Sequence, residues 1–115
     1  MTTFYKAQEA RDIATNRRAI LDEIRIIEPV VLDAIENGDT SAKIGPGSST
    51  PVTVGFTNSA TYYNAYSDPI NNDTEAHRKA RRQINEILKH FSSLNYQITM
   101  EREGATSTFN WIVKW

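Results

Sequence analysis

Apolar residues recur at helical spacing through the first third of the chain. Ile13, Ile20, Ile24, Ile27, Val31 and Ala34 follow one another at intervals of seven, four, three, four and three residues. That spacing draws one continuous stripe along a helix running from about Thr3 to Asn37. Arg17 stands where another apolar residue would extend the stripe, while Leu21, Val30 and Ile35 widen it toward a second face. Pro29 lacks the amide that would bond back to Arg25, and its ring crowds the preceding turn, so a kink or a break is expected there. Asn37 and Gly38 supply a helix stop.

The period then changes. Ala42 and Ile44 suggest a short strand, and from Gly45 to Asp73 the composition shifts to Gly, Pro, Ser, Thr and Asn with few charges. Val52, Val54 and Phe56 alternate as a further short strand would. Residues 45–73 as a whole read as an extended arm or loop, dotted by Tyr62, Tyr63 and Tyr66. Those tyrosines either offer contact area to a partner or pin the arm onto its own domain. Asp73 or Thr74 caps a second helix, on which Ala76, Ala80, Ile84, Ile87, Leu88 and Phe91 share one face. It ends between Ser92 and Asn95.

From Leu94 onward apolar residues occupy every second position: Tyr96, Ile98 and Met100, then Phe109, Trp111, Val113 and Trp115. Each arm of this hairpin turns one face to a core, with Gly104 in a five-residue turn from Arg102 to Thr106. Because the second helix leads straight into the hairpin, Trp111 and Trp115 are expected in the core. The elements add up to one α+β domain over residues 1–115, with both helices on one face of a small, mostly antiparallel sheet.

Composition narrows the function classes. Thirteen basic and fourteen acidic residues give a net charge of −1, unlike a chain that coats nucleic acid or an anionic membrane. The absence of cysteine removes thiolate nucleophiles and zinc–thiolate sites. No apolar run reaches the roughly 20 residues of a membrane span. His77 and His90, thirteen residues apart on one helix, point to nearly opposite sides and share no metal; Asp73 and Glu86 are their expected helical neighbours. Gly45 to Thr50 is glycine-rich but lacks the Gly-Lys-Ser/Thr of a phosphate-binding loop. No nucleophile, metal cluster or cofactor motif emerges, so no catalytic, cofactor-binding or metal residue is assigned and no enzymatic activity is expected. Two surfaces remain. One is a protein interface drawn from Ile13, Ile20 and Ile24 of the first helix and Tyr62, Tyr63 and Tyr66 of the arm. The other is a basic patch of Arg78, Arg82 and Lys89, which would meet a nucleic acid or a host factor, although nearby Asp73, Glu75 and Glu86 favour an ion-paired or solvated face.

The C-terminal half resembles a group of small proteins of T4-like tailed cyanophages. The resemblance rests on Pro51 through Thr57, on Thr61-Tyr62-Tyr63-Asn64-Ala65-Tyr66, on His90 through Ile98, and on Thr108-Phe109-Asn110-Trp111-Ile112-Val113-Lys114-Trp115. In that group a helix ending in a phenylalanine, leucine, glycine, tyrosine pattern feeds a hairpin that closes on tryptophan, any residue, aliphatic, any residue, tryptophan. Here Asn95 replaces the glycine, and Glu103-Gly104 stands where an asparagine-rich turn would. The resemblance implies a viral protein made in the host cytoplasm: a virion structural or assembly component, contacting copies of itself or other phage proteins, or alternatively a phage regulatory protein working through the basic helix. It carries over no catalytic residues.

Overall fold

The computed structural model describes residues 6–48, 55–103 and 108–115. Helix α1 spans Ala7–Glu36 and strand β1 Ser41–Ile44; a 3₁₀ turn, Phe56–Asn58, precedes helix α2, Ala60–Ser67. Helix α3, Glu75–Ser92, then leads into strands β2, Gln97–Arg102, and β3, Phe109–Lys114. The fold is α+β as expected, and the second helix read from the sequence is α3. Within the arm, Phe56 belongs to the 3₁₀ turn rather than to a strand, and the three tyrosines lie on α2. The expected strand positions Val52 and Val54, and the turn residue Gly104, fall outside the described residues.

The sheet is antiparallel throughout in the order β1-β3-β2, so the last strand of the chain is the central one. Met100 and Ile44 flank Trp111 from either side, and Ile98 and Ala42 flank Val113. All of these side chains leave the same face of the sheet, where α1 lies over β1 and α3 over β2. Trp111, Phe109 and Val113 are fully buried there. Trp115 corrects its expectation: it is 37% exposed, at the rim, edge-on to Tyr96. The opposite face carries Lys43, Thr99, Glu101 and Lys114, with Lys43 and Glu101 paired at 3.6 Å across β3.

Both long helices end as their sequences direct. Gly38, at φ +83°, closes α1 while Asp39 N–H donates to the Ala34 carbonyl. Asn95, at φ +68°, closes α3 while Tyr96 N–H donates to the Phe91 carbonyl. Each pairs a left-handed residue with a six-to-one bond, the pattern that satisfies the last helical carbonyls. Thr74 caps α3 at its start by accepting from His77 N–H.

Beyond β1 the chain turns tightly against the sheet. Gly45, at φ +151°, packs so closely on β3 that a Cβ would overlap Asn110 Oδ1. The buried Asn110 amide accepts from Gly47 N–H at 2.9 Å and donates to Glu103 Oε2 at 2.6 Å. One side chain therefore ties the exit of β1 to the far end of β2, with both halves of its amide used.

At Pro29 the expected break does not occur. The helix continues past it, because Ile24, Ile27, Val31 and Ala34 pack on the core on both sides of the proline while Pro29 itself faces solvent. Burial of the stripe outweighs the interruption, which costs about 3 kcal/mol in a helix interior. Pro29→Ala is therefore expected to raise the unfolding free energy by about 1–3 kcal/mol, read from urea denaturation, with the m-value unchanged.

Candidate interaction surface

Thirty residues at 1.5 Å each make α1 about 45 Å long. The four to six residues of each strand reach only about 13–20 Å. The sheet thus covers part of the helix, and burial on α1 begins at Ile20. Before it, residues 7–15 are all exposed, Ile13 included at 47%. Along the rest of α1 a second line of apolar side chains, Leu21, Leu32 (55%) and Ile35 (40%), runs beside the buried stripe and stays in contact with solvent.

This flank of α1 forms one wall of two grooves whose other wall is α3. The first, about 460 Å³, has Leu32 and Ile35 facing Phe91, Leu94 and Tyr96. The second, about 480 Å³, has Ile13 and Arg17 facing Arg82 and Glu86. The helix layer therefore presents two separate grooves, one apolar and the other apolar with charged borders. Leu94, 56% exposed, extends the apolar groove.

The sequence-derived interface residues divide sharply. Ile13 lies on this surface. Ile20 and Ile24, 6% and 5% exposed, belong to the chain's own core. They are a correction to the expected interface: the stripe is longer than the sheet, but the excess lies N-terminal to Ile20. Tyr62 stacks on Phe56 with ring centres 3.9 Å apart, and Tyr63 lies against Phe109, so these two pin the arm to the domain. Of the three, Tyr66 is the most exposed, at 40%.

The basic residues are spoken for in part. Arg78 pairs with Asp73 at 3.5 Å. Arg81 also reaches Asp73 and donates to the carbonyls of Ala65 and Asn72, closing the C-terminal end of α2. Arg82 and Lys89 are exposed. The histidines differ from expectation: His77 Nδ1 lies 2.6 Å from Thr74 Oγ1 rather than on Asp73, and His90 sits edge-on to Phe91. Among the described residues no three His, Asp or Glu side chains are grouped to hold a metal ion, and no helix is long and apolar enough to cross a membrane.

Beneath the surface two polar side chains hold the arm in place. The first, Glu23, corrects the charge pattern of α1, which groups it with Glu9, Asp12, Asp22 and Glu28 on a solvated or salt-bridging face. Glu23, 2% exposed, accepts from Phe56 N–H at 2.8 Å, and a Cβ on Gly55 would strike the same carboxylate. Burial pushes the Glu23 pKa up, against the opposing pull of the Phe56 amide and the nearby Trp111 indole. The indole stands near the carboxylate without a hydrogen bond of normal geometry, leaving Glu23 Oε1 and Trp111 Nε1 without partners among the described residues. Tyr62 is raised too, by burial and then by the Glu23 charge. The second is Gln83, which accepts from the Tyr62 hydroxyl and donates to Asn16 Oδ1 at 2.6 Å, joining α2, α3 and α1. A signal for both was present: Glu23 falls three residues after Ile20, and Gln83 three after Ala80, on the buried faces of their helices.

Comparison of the chain with protein-family models, with curated proteins and with solved structures finds no match in any of the three.

Glu23 makes stability depend on pH with a definite sign. Its folded-state pKa lies above the unfolded value, so the folded protein holds the proton more tightly. The stabilisation is complete below the unfolded pKa and is lost as pH rises through the folded one. Glu23→Gln keeps an acceptor for Phe56 and removes the buried charge. It is expected to flatten that decline and to stabilise the protein at neutral pH by about 1–3 kcal/mol, measured by denaturation across a pH series.

Proposed function

We propose that this chain is a non-enzymatic phage protein, a virion structural or assembly component that works through protein–protein contacts made by the outer surface of its helix layer. The observation that carries the reading is the start of α1, residues 7–15, all of which are exposed. A helical segment of about two and a half turns with so little packed against it is marginal in water. This one also exposes Ile13, and it continues into the exposed line of Leu21, Leu32 and Ile35. A partner that covers this line stabilises the helix and removes apolar surface from water in one step. The phage setting rests on the resemblance of the C-terminal half, whose helix end and tryptophan hairpin build the rigid platform from which α1 projects.

The test is compositional. In particles purified from an infection with the phage that encodes the chain, quantitative mass spectrometry is expected to find it in fixed ratio to the other structural proteins, or in assembly intermediates that precede them. A chain abundant in infected cells but missing from particles and intermediates alike would overturn the reading.

A further inference from the structure

We infer that the occupant of the exposed α1 flank is a second copy of the same chain, its α1 lying antiparallel to the first about a twofold axis at the level of positions 22 and 23 along the helix. This rests on the reading of the helix layer as a contact surface and names the partner.

The argument is one of pattern and charge. Ala10, Arg17, Glu28 and Ile35 are exposed and fall on one line of α1, with the exposed Ile13 and Leu32 to either side of it. Turned end for end about that axis, the flank matches itself. Ala10 meets Ile35 of the second copy and Arg17 meets Glu28, while Ile13 and Leu32 border the contact at the same level. Apolar positions fall on apolar ones, and each of the two symmetry-related charge contacts joins opposite signs. In the parallel arrangement Arg17 would face Arg17 and Glu28 would face Glu28. No described residue forms an ion pair with either side chain within the chain. A twofold contact uses one patch on both subunits, and self-complementarity of this kind is what it requires.

The helix dipole supports the same orientation. The last turn of α1 contains no basic residue and holds Asp33 and Glu36, negative charge where the dipole is already negative. Antiparallel pairing brings this acidic end against the half of the other helix that carries Arg11, Arg17 and Arg18 against Glu9 and Asp12, an excess of one positive charge. It also sets the two macrodipoles head to tail. An arrangement that is unfavourable within one chain becomes complementary between two.

Charge reversal tests the register. Sedimentation equilibrium of the full chain is expected to show a dimer. Arg17→Glu and Glu28→Arg, each at an exposed position and checked for folding by circular dichroism, each place two like-charge pairs across the axis. Each should raise the dimer dissociation constant by about tenfold or more. Mixing the two variants restores both opposite-charge pairs, so the heterodimer should recover wild-type affinity. As an independent measurement, the chain contains no cysteine, and a mixture of Ala10→Cys and Ile35→Cys chains should oxidise to the mixed disulfide in preference to either homodisulfide. A wild-type chain that is monomeric at sub-millimolar concentration, a dimer indifferent to both reversals, a mixture that fails to recover, or a preference for homodisulfides would each overturn the inference. A chain found in particles but monomeric in solution would remove the dimer and leave the proposed function; a dimer missing from particles would do the reverse.

Discussion

A helix of thirty residues lying on a sheet whose strands are four and six residues long sets the terms for the rest of the molecule. Among the described residues the sheet is three strands wide and no strand exceeds six residues, so the face it buries is short beside the helix. Ile20 through Ala34 fill it on one side, and Ala80 through Phe91 of α3 fill it on the other. Whatever lies beyond must be covered by something else or face water. The 50 Å long axis of the molecule, against 32 and 22 Å for the other two, is the geometric expression of that mismatch.

Three buried polar side chains organise what the apolar core alone would leave loose. Glu23 holds the entry of the arm through Phe56, Gln83 joins three helices, and Asn110 fixes the exit of β1 against β3. Apolar contacts are non-directional and tolerate sliding. A hydrogen bond between a buried side chain and one particular partner does not, because a displaced group would be left unpaired in a dry interior. Each of the three polar groups therefore specifies a position rather than merely adding cohesion. The glycines beside them serve the same end: at Gly45 and Gly55 a side chain would collide with Asn110 and Glu23 respectively.

Periodicity made the regular elements legible. The isoleucine spacing of α1, the alternation in β2 and β3, the Thr74 cap and the stops at Gly38 and Asn95 all follow from local rules that tertiary contacts only reinforce. The arm was less readable, because α2 is short and Tyr62, Tyr63 and Tyr66 are neither strongly helical nor arranged on a single apolar face. Its helix depends on docking to Phe109 and Gln83, contacts that come from distant parts of the sequence, as well as to Phe56 just before it. Local rules make Pro29 a helix breaker, whereas packing on both sides of it keeps the helix continuous. The division of the isoleucine stripe between core and surface was beyond local reading too. It depends on where the sheet ends, and helical spacing carries no information about that.

The central position of β3 has a kinetic consequence. Both neighbouring strands hydrogen-bond to it and neither bonds to the other, yet it follows every other element in the chain. During synthesis β1 leaves the ribosome with no strand to pair with, and the stripe of α1 has no sheet to cover. The sheet closes in a single late event that joins residues about seventy positions apart. Until then the nascent chain carries an amphipathic helix with its whole isoleucine face open, so its exposure to wrong partners is set by the translation time of α2, α3 and the hairpin rather than by the speed of folding itself.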